Sequence, residues 1–222
     1  MSEVSETTPA ERGNYGRDGY RLMEKLIAPE VATGMLARMK IDFARQRVDL
    51  AGLRTEGPLL AQPAVEIYGF HYPPFVTFHW GLTSVVEQAV GVPILPTYCY
   101  FRLYRAGDIC RVHGDRPACE HSMSLTLGYA DGVPWPLEVA RRSIAEPYSR
   151  ADLAFAAGED AVAVAMSPGD AVLYRGVHHH HGRTMPNPNR WSAHLFLHWV
   201  ERGGRFADQA FDRQTPPLMV EF

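Results

Sequence analysis

His113 and Asp115 stand two apart in His113-Gly114-Asp115, four consecutive histidines run from His178 to His181, and Arg190-Trp191-Ser192 follows soon after. Two imidazoles and one carboxylate on one face of a divalent ion leave its remaining positions open to reacting ligands, the coordination habit of non-haem iron sites. Zinc accepts the same three donors with a bound water, so the donor set alone leaves the metal open. Residues two apart on a strand point to the same side, so His113 and Asp115 can chelate one ion without bending the backbone. By itself such a triplet is close to a chance occurrence, and its bland reading is a surface ion pair at a strand end. The weight falls on its conjunction with a third ligand from elsewhere. At most one or two of the four histidines can point inward from a strand, and the sequence alone does not say which; His181 is taken as the ligand and His180 as the main alternative.

A guanidinium can hold a carboxylate through two parallel hydrogen bonds, and a neighbouring hydroxyl can add a third. Arg190 and Ser192 share one strand face, continued by His194, Phe196 and His198, while Ala193, Leu195, Leu197 and Trp199 take the other. Tyr104, two residues from Arg102, is placed to donate a phenolic hydrogen bond to the same ligand.

The elements that must position these residues change character near position 93. Upstream, Gly19 to Arg47 reads as helical, with a second helix starting at Pro29, since proline suits a first turn. Its apolar stripe is Val31, Met35, Leu36, Met39 and Phe43. Asp49 to Gln62 reads as a loop, and Phe78 to Gly91 as a further helix closed by glycine and Pro93. Tyr68 to Trp80 is rich in aromatics that suit either a substrate wall or core packing. From Thr97 the period becomes two. Tyr98–Tyr104, Met123–Tyr129, Trp135–Val139, Ala161–Met166, Ala171–Val177 and Ser192–Val200 read as strands, with turns at Asp131-Gly132 and Ser167-Pro168-Gly169-Asp170. Short strands without helices between them predict a sandwich or barrel.

The chain has 222 residues, 46% of them hydrophobic and 11% aromatic, enough for one domain with a substantial core. Its formal net charge of −3 gives no electrostatic ground for nucleic-acid binding. No apolar run approaches the roughly 18 residues of a membrane span. The polar stretch 1–17 has no secretion-signal core and is expected to be disordered. Three cysteines do not make a disulfide framework, so a reducing cytoplasm is the expected setting.

Five stretches carry a resemblance: Pro96-Thr97-Tyr98-Cys99-Tyr100-Phe101-Arg102-Leu103-Tyr104, His113-Gly114-Asp115-Arg116-Pro117-Ala118-Cys119-Glu120, Pro134-Trp135-Pro136-Leu137, Pro168-Gly169-Asp170-Ala171 and Tyr174-Arg175-Gly176. Together they resemble bacterial 2-oxoglutarate- and Fe(II)-dependent oxygenases of the prolyl-hydroxylase-like superfamily, over about half the chain. The resemblance implies a mainly β fold, a double-stranded β-helix (jelly roll) core over about 93–200, supported by helices over about 18–92, in one domain spanning 18–222. It implies Fe(II) on His113, Asp115 and His181, with His180 still open. It also implies 2-oxoglutarate as cosubstrate on Arg190 beside Ser192, with O2 consumed, succinate and CO2 released, and a small-molecule or peptide substrate hydroxylated. Arg116 and the Cys119-Glu120 pair are family-like and take no chemical role beyond bracing a loop. Two rival readings are a zinc-dependent cupin-like hydrolase or isomerase, which leaves Arg190 and Ser192 without a task, and a non-catalytic jelly-roll binding module.

Overall fold

The computed structural model describes residue 8 and residues 12–145 and 151–214. A helical turn α1 (Tyr15–Asp18) leads into β1 (Tyr20–Met23), helix α2 (Pro29–Arg45), β2 (Arg54–Thr55), β3 (Ala64–Tyr68) and the helices α3 (Pro73–Gly81) and α4 (Thr83–Val90). The β-rich part follows as β4 (Ile94–Arg105), β5 (Cys110–His113), β6 (His121–Tyr129), β7 (Leu137–Ala140), β8 (Ala151–Asp152), β9 (Ala161–Val164), β10 (Ala171–Tyr174), β11 (His181–Arg183) and β12 (Trp191–Glu201). These strands form a seven-stranded sheet, β1-β10-β6-β12-β4-β3-β2, and a five-stranded sheet, β8-β5-β11-β7-β9, with every pairing antiparallel. The expected jelly roll is the observed architecture.

Alternation decides which side chains face the chamber between the sheets. On β6, Met123, Leu125 and Leu127 join Leu195, Leu197 and Trp199 of β12 in the main apolar cluster, where Met39 and Phe43 of α2 and Phe75 of α3 cover the large sheet. Ser122, Ser124 and Thr126 of β6, with Ser192, His194, Phe196 and His198 of β12, take the opposite side and are just as buried. Contacts across the chamber tie the sheets together: the Tyr174 and His181 rings lie 4.6 Å apart, and Tyr104 and Trp135 meet edge to face at 4.9 Å.

Several expectations upstream of the strands need correction. The expected helix over Gly19–Arg47 is interrupted, because Tyr20–Met23 is an edge strand paired with β10, Tyr20 opposite Tyr174. Tyr20 and Leu22 are buried and Arg21 is exposed, so a two-residue alternation was hidden beneath an apparent helical spacing. Helix α2 does start at Pro29, but its buried stripe includes Ala32 while Val31 is half exposed. The helix expected over Phe78–Gly91 is two helices meeting at Leu82, closed by Gly91 with φ of 87° in the left-handed region. The Asp49–Gln62 loop contains a 3-10 turn at Leu50–Leu53 and the short strand β2. Disorder was expected up to residue 17, yet Tyr15 is buried and the Asn14 side chain caps α1 by accepting from the Arg17 N–H. Residues 1–7 and 9–11 lie outside the described residues. Among the described residues, no helix is long and apolar enough to cross a membrane.

Candidate metal centre and its chamber

β5 ends at His113 and β11 begins at His181, and the two residues sit directly opposite in the antiparallel register. Their ring centroids are 4.3 Å apart. Asp115 follows just past the end of β5, held there by its own N–H, which donates to the Gly176 carbonyl at 2.8 Å. Its Oδ1 lies 3.7 Å from His113 Nε2 and 3.5 Å from His181 Nε2. Donor atoms of all three residues fall within 4.8 Å of one another. The other ring nitrogens are engaged with backbone carbonyls: His113 Nδ1 with Arg111 O at 2.7 Å and His181 Nδ1 with His179 O at 2.9 Å. A carbonyl only accepts, so each Nδ1 carries the proton in the neutral ring and each Nε2 turns a lone pair toward Asp115.

The carboxylate is oriented with similar care. Ser122 Oγ donates to Asp115 Oδ2 at 2.8 Å and lies 2.9 Å from His198 Nδ1. The backbone must also stand close, since a methyl group at Gly176 would collide with Asp115 Oδ2 and Ser122 Oγ. Burial, and next the neighbouring His181, push His113 down to about 3, so the imidazole is neutral near pH 7. Burial alone would raise the Asp115 carboxyl, but His181 first and then His113 outweigh it, holding the group well below the usual carboxylate range. Two imidazoles, each with Nδ1 tied to a backbone carbonyl, and an ionised carboxylate offer one nitrogen each and one oxygen with an open side, a donor set that fits ferrous iron.

The remaining histidines of the run turn elsewhere. His178 Nδ1 is 3.2 Å from Ile144 O, and His179 Nδ1 is 2.8 Å from Ala140 O. His180 Nδ1 is 2.6 Å from Glu159 Oε1. His180 therefore points to the opposite side of the chain from His181, and of the two alternatives only His181 converges with His113 and Asp115.

The expected anchor is not in the chamber. Arg190 stands one residue before β12, its side chain is 78% exposed, and its Nε donates to Asp131 Oδ1 at 2.9 Å. Ser192 does face inward, but its hydroxyl donates to Asn187 Oδ1 at 2.8 Å and accepts from Asn189 Nδ2, which bind it to the preceding loop. Tyr104 is fully buried in the chamber wall, where its hydroxyl accepts from Arg102 Nη1 at 3.0 Å.

Two other guanidiniums occupy the interior. Arg102 is neutralised by Glu66, with Nη2 to Oε1 at 2.6 Å. Arg183 is 1% exposed and has no carboxylate within ion-pairing distance among the described residues. It donates from Nη2 to Ser124 Oγ at 3.2 Å and from Nε to Trp135 O at 3.5 Å, with the Trp135 ring 5.1 Å from its guanidinium carbon. His194 lies alongside; its Nδ1 is 3.3 Å from Thr126 Oγ1 and its Nε2 has no hydrogen-bond partner. Burial, then Arg183, drives the His194 pKa well below the ordinary histidine value. A signal for Arg183 was present in the sequence: His181-Gly182-Arg183 repeats the two-residue spacing of His113-Gly114-Asp115, so Arg183 shares a strand face with a metal-ligand candidate.

No protein-family model matches this chain, and no curated protein does. Solved structures do match. A prolyl-4-hydroxylase from Pseudomonas putida aligns with a TM-score of 0.57 at 16% identity, covering 85% of this chain and 96% of that one. The non-haem α-ketoglutarate-dependent carbocyclase SnoK of nogalamycin biosynthesis gives 0.65 at 11% identity, covering 88% and 84%. HygX from Streptomyces hygroscopicus, solved with nickel, 2-oxoglutarate and hygromycin B, gives 0.61 at 12% identity, covering 88% of each chain. At these identities the likeness is one of fold: the chain has the jelly roll found in 2-oxoglutarate- and iron-dependent oxygenases.

Proposed function

We propose that this protein is an Fe(II)- and 2-oxoglutarate-dependent dioxygenase that hydroxylates a small-molecule substrate. The observation that carries the reading is a coincidence of two demands in one chamber: a His/Asp/His donor set wanting a cation, and, deeper in, a buried guanidinium wanting an anion. His113 Nε2, Asp115 Oδ1 and His181 Nε2 are the atoms that would hold Fe(II). Once bound with 2-oxoglutarate and O2, the iron supplies the oxidising power for hydroxylation as the keto acid is converted to succinate and CO2.

The chain's own part is positioning and exclusion of water. Arg183 takes the anchoring task expected of Arg190. It lies two residues beyond His181 on the same strand, a step of roughly 7 Å, which suits a five-carbon diacid whose keto acid end reaches the metal and whose far carboxylate reaches the guanidinium. His194 Nε2 and Ser124 Oγ stand ready as further hydrogen-bonding partners of that carboxylate. Glu66 keeps Arg102 from competing for it. Ser122 and the backbone around Gly176 fix the carboxylate of Asp115, and the Arg111 and His179 carbonyls fix the two imidazole tautomers. Tyr100, Phe196 and Trp135 line the walls with apolar surface, the rings of the first two stacked at 4.9 Å. HygX was solved with a small molecule in place, which supports a metabolite over a polypeptide as substrate.

The direct test is anaerobic titration calorimetry of the purified protein with Fe(II) and then 2-oxoglutarate, followed by succinate measurement in air. Iron-dependent binding of 2-oxoglutarate at one per chain and iron-dependent succinate release are the expected results. A protein that binds the metal but ignores 2-oxoglutarate would overturn the reading.

A further inference from the structure

The outer face of the large sheet carries a second cluster of metal-binding residue types. His121 opens β6 and pairs with Trp199 of β12, and Glu201 lies two residues further along β12 on the same face as Trp199. Glu120 immediately precedes His121. Ser122, the next residue, points into the chamber and touches Asp115, so His121 and the candidate iron ligands stand on opposite sides of one sheet. Donor atoms of Glu120, His121 and Glu201 all lie within 4.8 Å of one another.

An independent feature, a buried polar atom without a partner, points to a ligand there. His121 is 3% exposed, and its Nε2, 3.8 Å from Glu201 Oε1, has no hydrogen-bond partner. That separation is too long for a hydrogen bond. The ring is not free to turn away, because its Nδ1 is hydrogen-bonded to the buried hydroxyl of Tyr15, a second partner of the kind that orients metal-ligating histidines. Glu120 is also held in place, with Oε2 accepting from the Glu201 N–H at 2.8 Å.

We propose that Glu120, His121 and Glu201 form a second divalent-cation site, of the kind that takes zinc, tying the Tyr15 segment to the adjoining ends of β6 and β12. One imidazole nitrogen and two carboxylate oxygens are within zinc's usual donor range, with water completing the shell. The site would brace the turn that runs from Asp115 to Glu120 without taking part in the chemistry of the chamber.

The test uses the full chain with Asp115→Ala and His181→Ala, which silence the chamber site. Equilibrium dialysis against Zn2+ followed by metal analysis should give one ion per chain, and thermal denaturation should show Zn2+ raising Tm. Adding Glu201→Gln, a near-isosteric change at a half-exposed side chain, should weaken zinc at least tenfold and remove the Tm shift; Glu120→Gln should do the same. Absence of zinc binding in the silenced protein at about 100 µM would overturn the proposal. So would binding that survives both glutamate substitutions, because that ion would sit on the histidine run instead. Dioxygenase function stands or falls separately: zinc here without 2-oxoglutarate binding would sink only the functional proposal, and the converse only this one.

Discussion

The two faces of the seven-stranded sheet are equally dry and chemically opposite. Outward, Met123, Leu125, Leu127, Leu195, Leu197 and Trp199 meet the helices in continuous apolar contact. Inward, the same two strands present Ser122, Ser124, Thr126, Ser192, His194 and His198, all buried. Burying polar groups is unfavourable unless each finds a partner, yet His194 Nε2 and His198 Nε2 have none. A fold under pressure for stability alone would have filled that face with aliphatic side chains. One face packs the molecule together, and the other carries the polar groups of the proposed site.

The largest expected effect tests a feature that crosses this division. His79, packed on Trp199, and His121 are both buried on the outer side, and burial pushes each down to about 3. Both are neutral in the fold, whereas in the unfolded chain they take up protons below about pH 6.5. Stability is therefore intact above that pH and is lost as pH falls toward 3. By pH 5 each histidine costs about 2 kcal/mol, and the pair about 4 kcal/mol, a large share of a typical domain's stability. His194 adds to the loss in the same direction. Circular dichroism of the metal-free protein should show unfolding on mild acidification, and replacing His79 with a neutral isostere such as Gln should not deepen the pH dependence but reduce it. A transition indifferent to pH between 7 and 5 would count against neutral burial.

Next in size is the proposed anchor of the chamber. Arg183→Met keeps much of the side-chain volume and removes charged hydrogen bonds contributing about 1.5–3 kcal/mol each. The Kd for 2-oxoglutarate should rise about 100-fold or more while Tm barely falls. Leu195→Ala, on the outward face of the seven-stranded sheet, should do the reverse: a stability loss of about 2–5 kcal/mol with unchanged 2-oxoglutarate affinity in the folded protein. If both substitutions weaken ligand and fold together, the division between faces is not functional.

The strand pattern explains how much of this was legible in the sequence. Period-two alternation from position 97 pointed to a sandwich or barrel, which the resemblance narrowed to a jelly roll, and it set the inward phase of β12, because a one-residue slip would turn every Leu and Trp of that strand into the chamber. The same rule put His113 and Asp115 on one side, although Asp115 lies just past the end of β5 and is placed by its hydrogen bond to Gly176. Choosing among four histidines needed the register of β11 against β5, which pairs His181 with His113 and is a long-range fact absent from any local window. Arg190 has the right parity for the inward face but precedes the strand, and Asp131, 59 residues away in sequence, draws it outward. Tyr20–Met23 was obscured for a similar reason: four residues fit a helix or a strand, and the free edge of β10 decides between them.

A finer test lies in the orientation of the metal ligands. Ser122→Ala removes one hydrogen bond to Asp115 and leaves the ligand itself in place. Such a loss should lower Fe(II) affinity about tenfold, measured anaerobically, with 2-oxoglutarate affinity in the iron-saturated protein unchanged.

The smallest expected effect is also the sharpest discriminator between the two arginines. Arg190 pairs with Asp131 at the surface, where an exposed ion pair contributes about 0–1 kcal/mol. Arg190→Ala should therefore shift Tm slightly and leave the Kd for 2-oxoglutarate within about twofold of the parent, since a change of 1.4 kcal/mol is needed for a factor of ten. Side by side with Arg183→Met in one calorimetric series, the two substitutions remove the same charge, one from the chamber wall on β11 and one from the surface just before β12. A tenfold or larger loss for Arg190→Ala, with Arg183→Met silent, would mean that the loop around Asn187 and Asn189 rearranges to bring Arg190 inward on binding. The buried guanidinium beside Trp135 would then be a structural cation, and the inward face would owe its polarity to something other than the cosubstrate.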